Sequence, residues 1–269
     1  MPPPQDAPIG VFDSGIGGLT VAHEIMRQLP GESIIYFGDT ARVPYGPKSP
    51  DTVCRYSREI ARFLREQDVK AIVIACNTAT AHALNVLRDE LPIPVIGVVE
   101  PGARAAVRAS NGGHIGVIGT TGTVRSGAYE RAIRAIDPDA RITARACPLF
   151  VPLVEEGWTE HPVTQQVARE YLRPLVDAEI DTLVLGCTHY PLLKSLLCRE
   201  LGADVRLIDS AAETAAEIGR VLRERDMPAG AEEQPKHRFV ASDDPLQFLQ
   251  LGQRFLGNAI DSVEVHTFV

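Results

Sequence analysis

The sequence predicts an α/β protein of two similar domains, each a parallel sheet sandwiched between helices. Three observations carry that prediction. Short, nearly continuous Val/Ile/Leu runs alternate with amphipathic segments along the chain, and strands covered on both faces of a parallel sheet have that character. At 269 residues the chain is long enough for two ordinary domains. The pattern also repeats: "IGVFDSGIGG" begins at Ile9 and "IGVIGTTGTV" at Ile115, 106 residues later, while two strand–cysteine–helix units centred on Cys76 and Cys187 lie 111 apart. Two features at nearly one spacing point to a duplicated domain rather than a solenoid. The alternative is that βα units resemble one another in any α/β chain.

Taken in order, the first strand is 9–13, followed by a helix over 17–29 and a strand over 33–39. Ser49-Pro50-Asp51 opens a helix over 50–67, with the proline in the first turn. Strand 71–76, helix 79–90 and strand 94–99 complete the first half. The second half carries strands at 115–119, 142–147, 182–187 and 205–209, with helices at 122–136 and 162–178. A helix over 211–223 and a strand over 237–242 follow. The expected domains are 1–97 plus 209–269, with the tail returning to the first half, and 98–208. Related by a pseudo-two-fold axis, they would face each other across a cleft built from the carboxyl ends of their strands, where ligands bind in open α/β sheets.

Composition narrows the function. With 35 acidic and 27 basic residues the formal charge is −8, which argues against a broad nucleic-acid surface. A small molecule or another protein is the expected partner. No apolar run approaches the roughly 20 residues of a membrane span. "MPPPQDAP" lacks the basic and apolar regions of a signal peptide, so the expected location is the cytoplasm. Cysteines 54, 76, 147, 187 and 198 form no C-x-x-C pair, and an odd number in such a chain points to thiols rather than a disulfide frame. Neither zinc spacing nor H-E-x-x-H occurs, so no metal site is expected.

The strand tips hold the chemistry-bearing residues. Asp13-Ser14-Gly15-Ile16-Gly17-Gly18 follows the first strand. Its glycines allow close backbone approach to a ligand, but G-x-G-G matches neither the dinucleotide fingerprint nor a phosphate loop. A carboxylate cradle and a plain tight turn both remain open. "YFGDTARVPYG" (36–46) would present backbone and an aromatic ring. Cys76-Asn77-Thr78 and Cys187-Thr188-His189 each place a thiol at a strand end ahead of an expected helix, Pro191 serving as opener of the second. A helix N-terminus there would stabilise thiolate. A single such cysteine is usually a small buried hydrophobe, but two at matching positions favour chemistry. If the thiols flanked one ligand, a thiolate could remove a proton while a thiol delivered another to the opposite face, inverting a carbon centre. Backbone N–H groups would stabilise the intervening carbanion. The chain has four lysines, 48, 70, 194 and 236, none within an evident cofactor motif, so chemistry without pyridoxal phosphate or another cofactor is expected.

"GVFDSGIGGLTV", "YFGDTARVPYG", "VIACNTATAHAL", "CPLFVPLVEEG" and "LVLGCTHYPLL" together resemble the glutamate racemases, bacterial enzymes that supply D-glutamate for peptidoglycan. The likeness runs from about residue 8 to the C-terminus. It implies two α/β domains, no cofactor and a homodimer. By motif, Cys76 would take the α-proton from the D-isomer, assisted by Asp13, and Cys187 that of the L-isomer, assisted by His189. Glu155, the first acid of "PLVEEG", would be a further acid/base helper. Ser14, Pro44, Tyr45, Gly46, Asn77, Thr78, Thr121 and Thr188, with Asp13 and His189, would hold the substrate's carboxylates and ammonium.

Three rivals stand beside this reading. A racemase for aspartate or another amino acid would share the two-cysteine logic. A thiol hydrolase or transferase would use Cys187 with His189 as nucleophile and base, leaving Cys76 without a role. A two-domain protein that only binds an amino acid would need neither thiol.

Overall fold

The computed structural model describes residues 4, 6–229 and 235–268. Ten strands run in chain order. The first five are β1 (Ile9–Asp13), β2 (Ile34–Gly38), β3 (Ala71–Ile74), β4 (Val95–Gly97) and β5 (His114–Gly119). The rest are β6 (Arg141–Ala146), β7 (Thr182–Gly186), β8 (Arg206–Ile208), β9 (His237–Ala241) and β10 (Glu264–Val265). Nine of them match the apolar runs of the sequence to within two residues at either end. The tenth is only two residues long and leaves no periodic signal.

The chain divides into two compact units, Met1–Val98 with Ala211–Val269, and Val99–Ser210. The first holds a six-stranded sheet ordered β10-β9-β2-β1-β3-β4, the second a four-stranded sheet ordered β6-β5-β7-β8. All pairings are parallel. Within each unit the four strands that open it take one order: second, first, third, fourth. The sequence echo is therefore matched by a topological one, which chance likeness of βα units does not require.

Alternation along the strands explains the cores. In β1, Ile9 and Val11 face one side with helices α1 (Leu19–Gln28), α10 (Ala211–Glu224) and α11 (Pro245–Leu256). Phe12 faces the other, with α2 (Pro50–Glu66) and α3 (Asn77–Glu90). In the second unit Ile115 and Val117 pack with α4 (Val99–Ala109) and α6 (Ala128–Arg134). Ile118 packs opposite, with α7 (Phe150–Glu155), α8 (Pro162–Asp177) and α9 (Lys194–Leu201).

Local chemistry sets the ends. Ser49 caps α2, accepting from the Thr52 amide, with Pro50 in the first turn. The helix expected over 122–136 is two helices, α5 (Thr121–Ser126) and α6, because Gly127 turns left-handed at φ 64°. Sequence patterning missed α4 and α11, which contain Pro101-Gly102 and Gly252. Pro101 lies in the first turn of α4, where it is tolerated. Gly252 admits close packing by Ile260 and Leu19. Among the described residues no helix is long and apolar enough to cross a membrane.

Candidate active site

In the order second-first-third-fourth, the connections leaving the first and third strands run to opposite sides of the sheet, which opens a crevice at their carboxyl ends. In the first unit that point lies between β1 and β3. Asp13 ends β1, fully buried, and Cys76 follows β3 by two residues, 5 % exposed. Cys76 is the N-cap of α3: its sulfur accepts from the Ala79 amide at 3.5 Å, so the thiol stands at the positive end of a 14-residue helix. It also donates to Ser14 Oγ at 3.7 Å. Asp13 Oδ2 accepts from the Gly15 amide at 3.0 Å. Asn77 and Thr78 are buried in the first turn of α3.

The 40–46 loop is held from beneath by Asp39. This buried carboxylate accepts from the Tyr45 hydroxyl, from Arg42 Nε at 2.8 Å and from Ser242 Oγ at 2.9 Å. Arg42 pairs in turn with Glu59 and lies over the Tyr56 ring, 4.0 Å from its centroid. Tyr45 is buried and packs in the same cluster as Cys76, with its phenol pushed well up by burial and by Asp39. Gly46 is also buried, whereas Pro44 is exposed. Asp39 was not singled out in the sequence, although it lies inside the quoted loop motif.

The second unit repeats the arrangement between β5 and β7. Cys187 follows β7 directly, 6 % exposed. Its sulfur lies 3.8 Å from His189 Nδ1, and His189 Nε2 lies 3.1 Å from Glu155 Oε1. An ionised carboxylate only accepts, so Nε2 carries a hydrogen, and Nδ1 faces the thiol. His189 is buried; Glu155, the last residue of α7, is half-buried and its neighbour Glu156 is exposed. Thr188 is buried. Thr121 is the first residue of α5, while Thr120 caps that helix by accepting from the Thr123 amide at 3.2 Å.

One expectation is corrected here. Cys187 does not stand at an α-helix N-terminus. Pro191 opens only a 3₁₀ turn, Tyr190–Leu193, and α9 starts at Lys194. The dipole argument holds for Cys76; Cys187 has the imidazole instead. Of the other thiols, Cys147 packs in the same buried cluster as Cys187. Burial pushes the Cys147 thiol far up, and Cys54 donates to the His82 carbonyl at 3.1 Å.

Lys70 is fully buried at the amino end of β3, opposite the end that carries Cys76, and is paired with Glu32 at 2.6 Å. Lys194 is paired with Asp209. Among the described residues no cluster of three or more His, Cys, Asp or Glu could hold a metal ion.

Fold and site together define an α/β protein whose two sheets each bear a buried cysteine at the switch point. The model of the Asp/Glu/hydantoin racemases matches residues 9–218. A glutamate racemase of Geobacter metallireducens is 55 % identical over 255 residues, 95 % of this chain and 94 % of that one. Among solved structures, glutamate racemase RacE1 of Bacillus anthracis superposes with TM-score 0.93 at 45 % identity over 98 % of both chains. The Francisella tularensis glutamate racemase, solved in complex with D-glutamate, gives 0.91 at 39 % identity, again over 98 % of both. The chain belongs to the Asp/Glu/hydantoin racemase family.

Proposed function

We infer that this protein is an isomerase that interconverts L- and D-glutamate, the D-isomer serving peptidoglycan synthesis. The observation that carries the reading is the paired placement of Cys76 and Cys187, each at the same point of one strand order, in a chain 55 % identical to a glutamate racemase. In this mechanism one thiolate takes the proton from Cα and the thiol of the other cysteine delivers one to the opposite face. Each turnover leaves the first sulfur protonated and the second ionised, so the reverse reaction starts from the product state. Cys76 acts on the D-isomer with Asp13 as its acid/base partner. Cys187 acts on the L-isomer with His189, which Glu155 orients. Backbone N–H groups at the start of α3, with Ser14, Asn77, Thr78, Thr188, Thr121 and the Pro44-Tyr45-Gly46 loop, take the carboxylates and ammonium of the substrate. No cofactor takes part, and the enzyme works as a cytoplasmic homodimer.

Incubation of each enantiomer in D₂O tests this. Optical activity should decay to zero from either side, with deuterium entering Cα, for glutamate and far more slowly for aspartate. Decay confined to aspartate would move the substrate assignment within the family. One observation favours a second reading: sulfur, imidazole and carboxylate of Cys187, His189 and Glu155 lie in the sequence of a nucleophile, base and orienting acid. A thiol hydrolase built on it would form a trappable acyl-thioester at Cys187 and would tolerate loss of Cys76.

A further inference from the structure

Beneath the first thiol lies a hydroxyl that the mechanism does not use. Tyr36, on β2, is fully buried, its ring tilted against Phe239 and Phe248 at centroid distances of 6.4 and 6.0 Å. Its hydroxyl donates to the Gly15 carbonyl at 2.8 Å. The same oxygen packs closely against Gly18. One phenol thus holds the turn that runs from Asp13 to Gly18, bonded at Gly15 and packed against Gly18. The neighbours are tight: a Cβ on Gly18 would lie 2.8 Å from the Tyr36 oxygen, and one on Gly38 2.6 Å from the Gly15 oxygen. Ser14 and Asp13 belong to this turn, and Ser14 touches the Cys76 sulfur.

We propose that Tyr36 is a positioning residue for the Cys76 half-reaction, its hydroxyl stapling the Asp13–Gly18 turn so that Ser14 and Asp13 stay registered on the sulfur. The donor is permanent. Burial, followed by the nearby Asp13 and Cys76, pushes the phenol well above its ordinary range, so its single hydrogen remains on Gly15 at every working pH. Phenylalanine would keep the ring in its packing and remove only the staple. Misplacement of catalytic groups by about 1 Å costs up to roughly 10²-fold in rate.

The role of Cys76 in proton transfer rests on the racemase reading, so the test has one arm that does not. In Tyr36→Phe, alkylation of Cys76 by iodoacetamide, followed site by site by mass spectrometry, should quicken at least threefold as Ser14 loosens, with Cys187 unchanged. That arm reads the turn, whatever the enzyme does. In the second arm kcat should fall about tenfold, with the primary deuterium isotope effect from D-[2-²H]glutamate rising and that from the L-isomer unchanged. Ile218→Val, a buried change in α10 that leaves the hydroxyl and its hydrogen bond in place, supplies a control of comparable stability cost that should move neither readout. Should Tyr36→Phe not fold, Phe248→Leu lets the phenol drift and should move both readouts in the same sense, to a smaller extent. Cys76 alkylation at or below the wild-type rate in the folded variant overturns the proposal. Faster alkylation with no exchange of the α-hydrogen in the wild type would leave the staple standing and refute the racemase reading.

Discussion

Replacing Gly18 by alanine sets two ordinary rules against each other. Gly18 is the N-cap of α1 with φ −65° and ψ −8°, a conformation alanine adopts freely. On backbone grounds the exchange should stabilise by about 0.4–1 kcal/mol through the unfolded chain. The new methyl, however, would lie 2.6 Å from Asp13 Cβ and 2.9 Å from Ala75 Cβ. Carbon atoms rest at about 3.5–4.0 Å, so roughly 1 Å of movement is demanded between β1, β3 and the start of α1. Overpacking of this kind costs about 1–3 kcal/mol, which leaves a net destabilisation of about 1–2 kcal/mol, or a few degrees in Tm. The rate should suffer more. A shift of about 1 Å at Asp13 corresponds to roughly 10²-fold in kcat/KM, about 2.7 kcal/mol of transition-state stabilisation. Initial rates from both enantiomers by circular dichroism, with thermal melts of the same samples, separate the two effects. Gly252→Ala provides the comparison, because its methyl meets only the movable ends of Ile260 and Leu19, at 3.0 and 3.3 Å. A Gly18→Ala protein with more than half of the wild-type kcat/KM, or with a loss no larger than that of Gly252→Ala, would refute the reasoning.

Three further outcomes follow from the same structure. Cys76→Ser and Cys187→Ser should each lower racemisation by about 10²–10⁴-fold in both directions, the range of one lost acid/base group, measured by polarimetry. Lys70→Met strands the buried Glu32 carboxylate, which also accepts from the Ala229 amide at 2.8 Å, and should cost about 3–5 kcal/mol in urea unfolding; pairing it with Glu32→Leu should recover most of that. His237 has its pKa lowered by burial, and its Nδ1 has no partner among the described residues. The unfolded chain therefore binds the proton more readily, so stability falls as pH drops below about 6.5. His237→Leu should flatten the urea-midpoint curve over that range.

Strand positions were legible because β-branched runs buried on both faces need no context to be recognised, as in "AIVIAC" or "TLVLGC". The thiols were legible for the same reason, each being the first polar atom after such a run. What escaped was set by side-chain partners that no sequence pattern reveals. Asp39 looks like any turn aspartate until Tyr45, Arg42 and Ser242 converge on it. Tyr36 sits within an apolar strand, and only the turn 21 residues earlier gives its hydroxyl an acceptor. The Gly15–Gly18 run read as room for a ligand, yet Gly18 is filled by the protein's own Asp13, Tyr36 and Ala75. Helix α4 hid behind Pro101-Gly102, and the 3₁₀ turn after His189 behind a proline that opens helices elsewhere in the chain.

The two halves share a strand order but not a chemistry at the strand tips, and the sequence echo shows where they parted. Aligning Ile9 with Ile115 sets Asp13 against Gly119 and Ser14 against Thr120. The second half therefore has no carboxylate at the tip of β5, the strand beside the one that carries its thiol. Aligning Cys76 with Cys187 sets Thr78 against His189, so the titratable neighbour has moved from the adjacent strand to the residue two places after the sulfur. With it the helix start is displaced: α3 begins one residue after Cys76, whereas α9 begins only at Lys194. A sulfur at a helix N-cap already has amide dipoles favouring thiolate. Cys187, without that helix start, has instead an imidazole nitrogen 3.8 Å from its sulfur, the ring's far nitrogen resting on Glu155. Within one strand order, the helix start that receives the Cys76 sulfur and the histidine that faces the Cys187 sulfur thus occupy equivalent places.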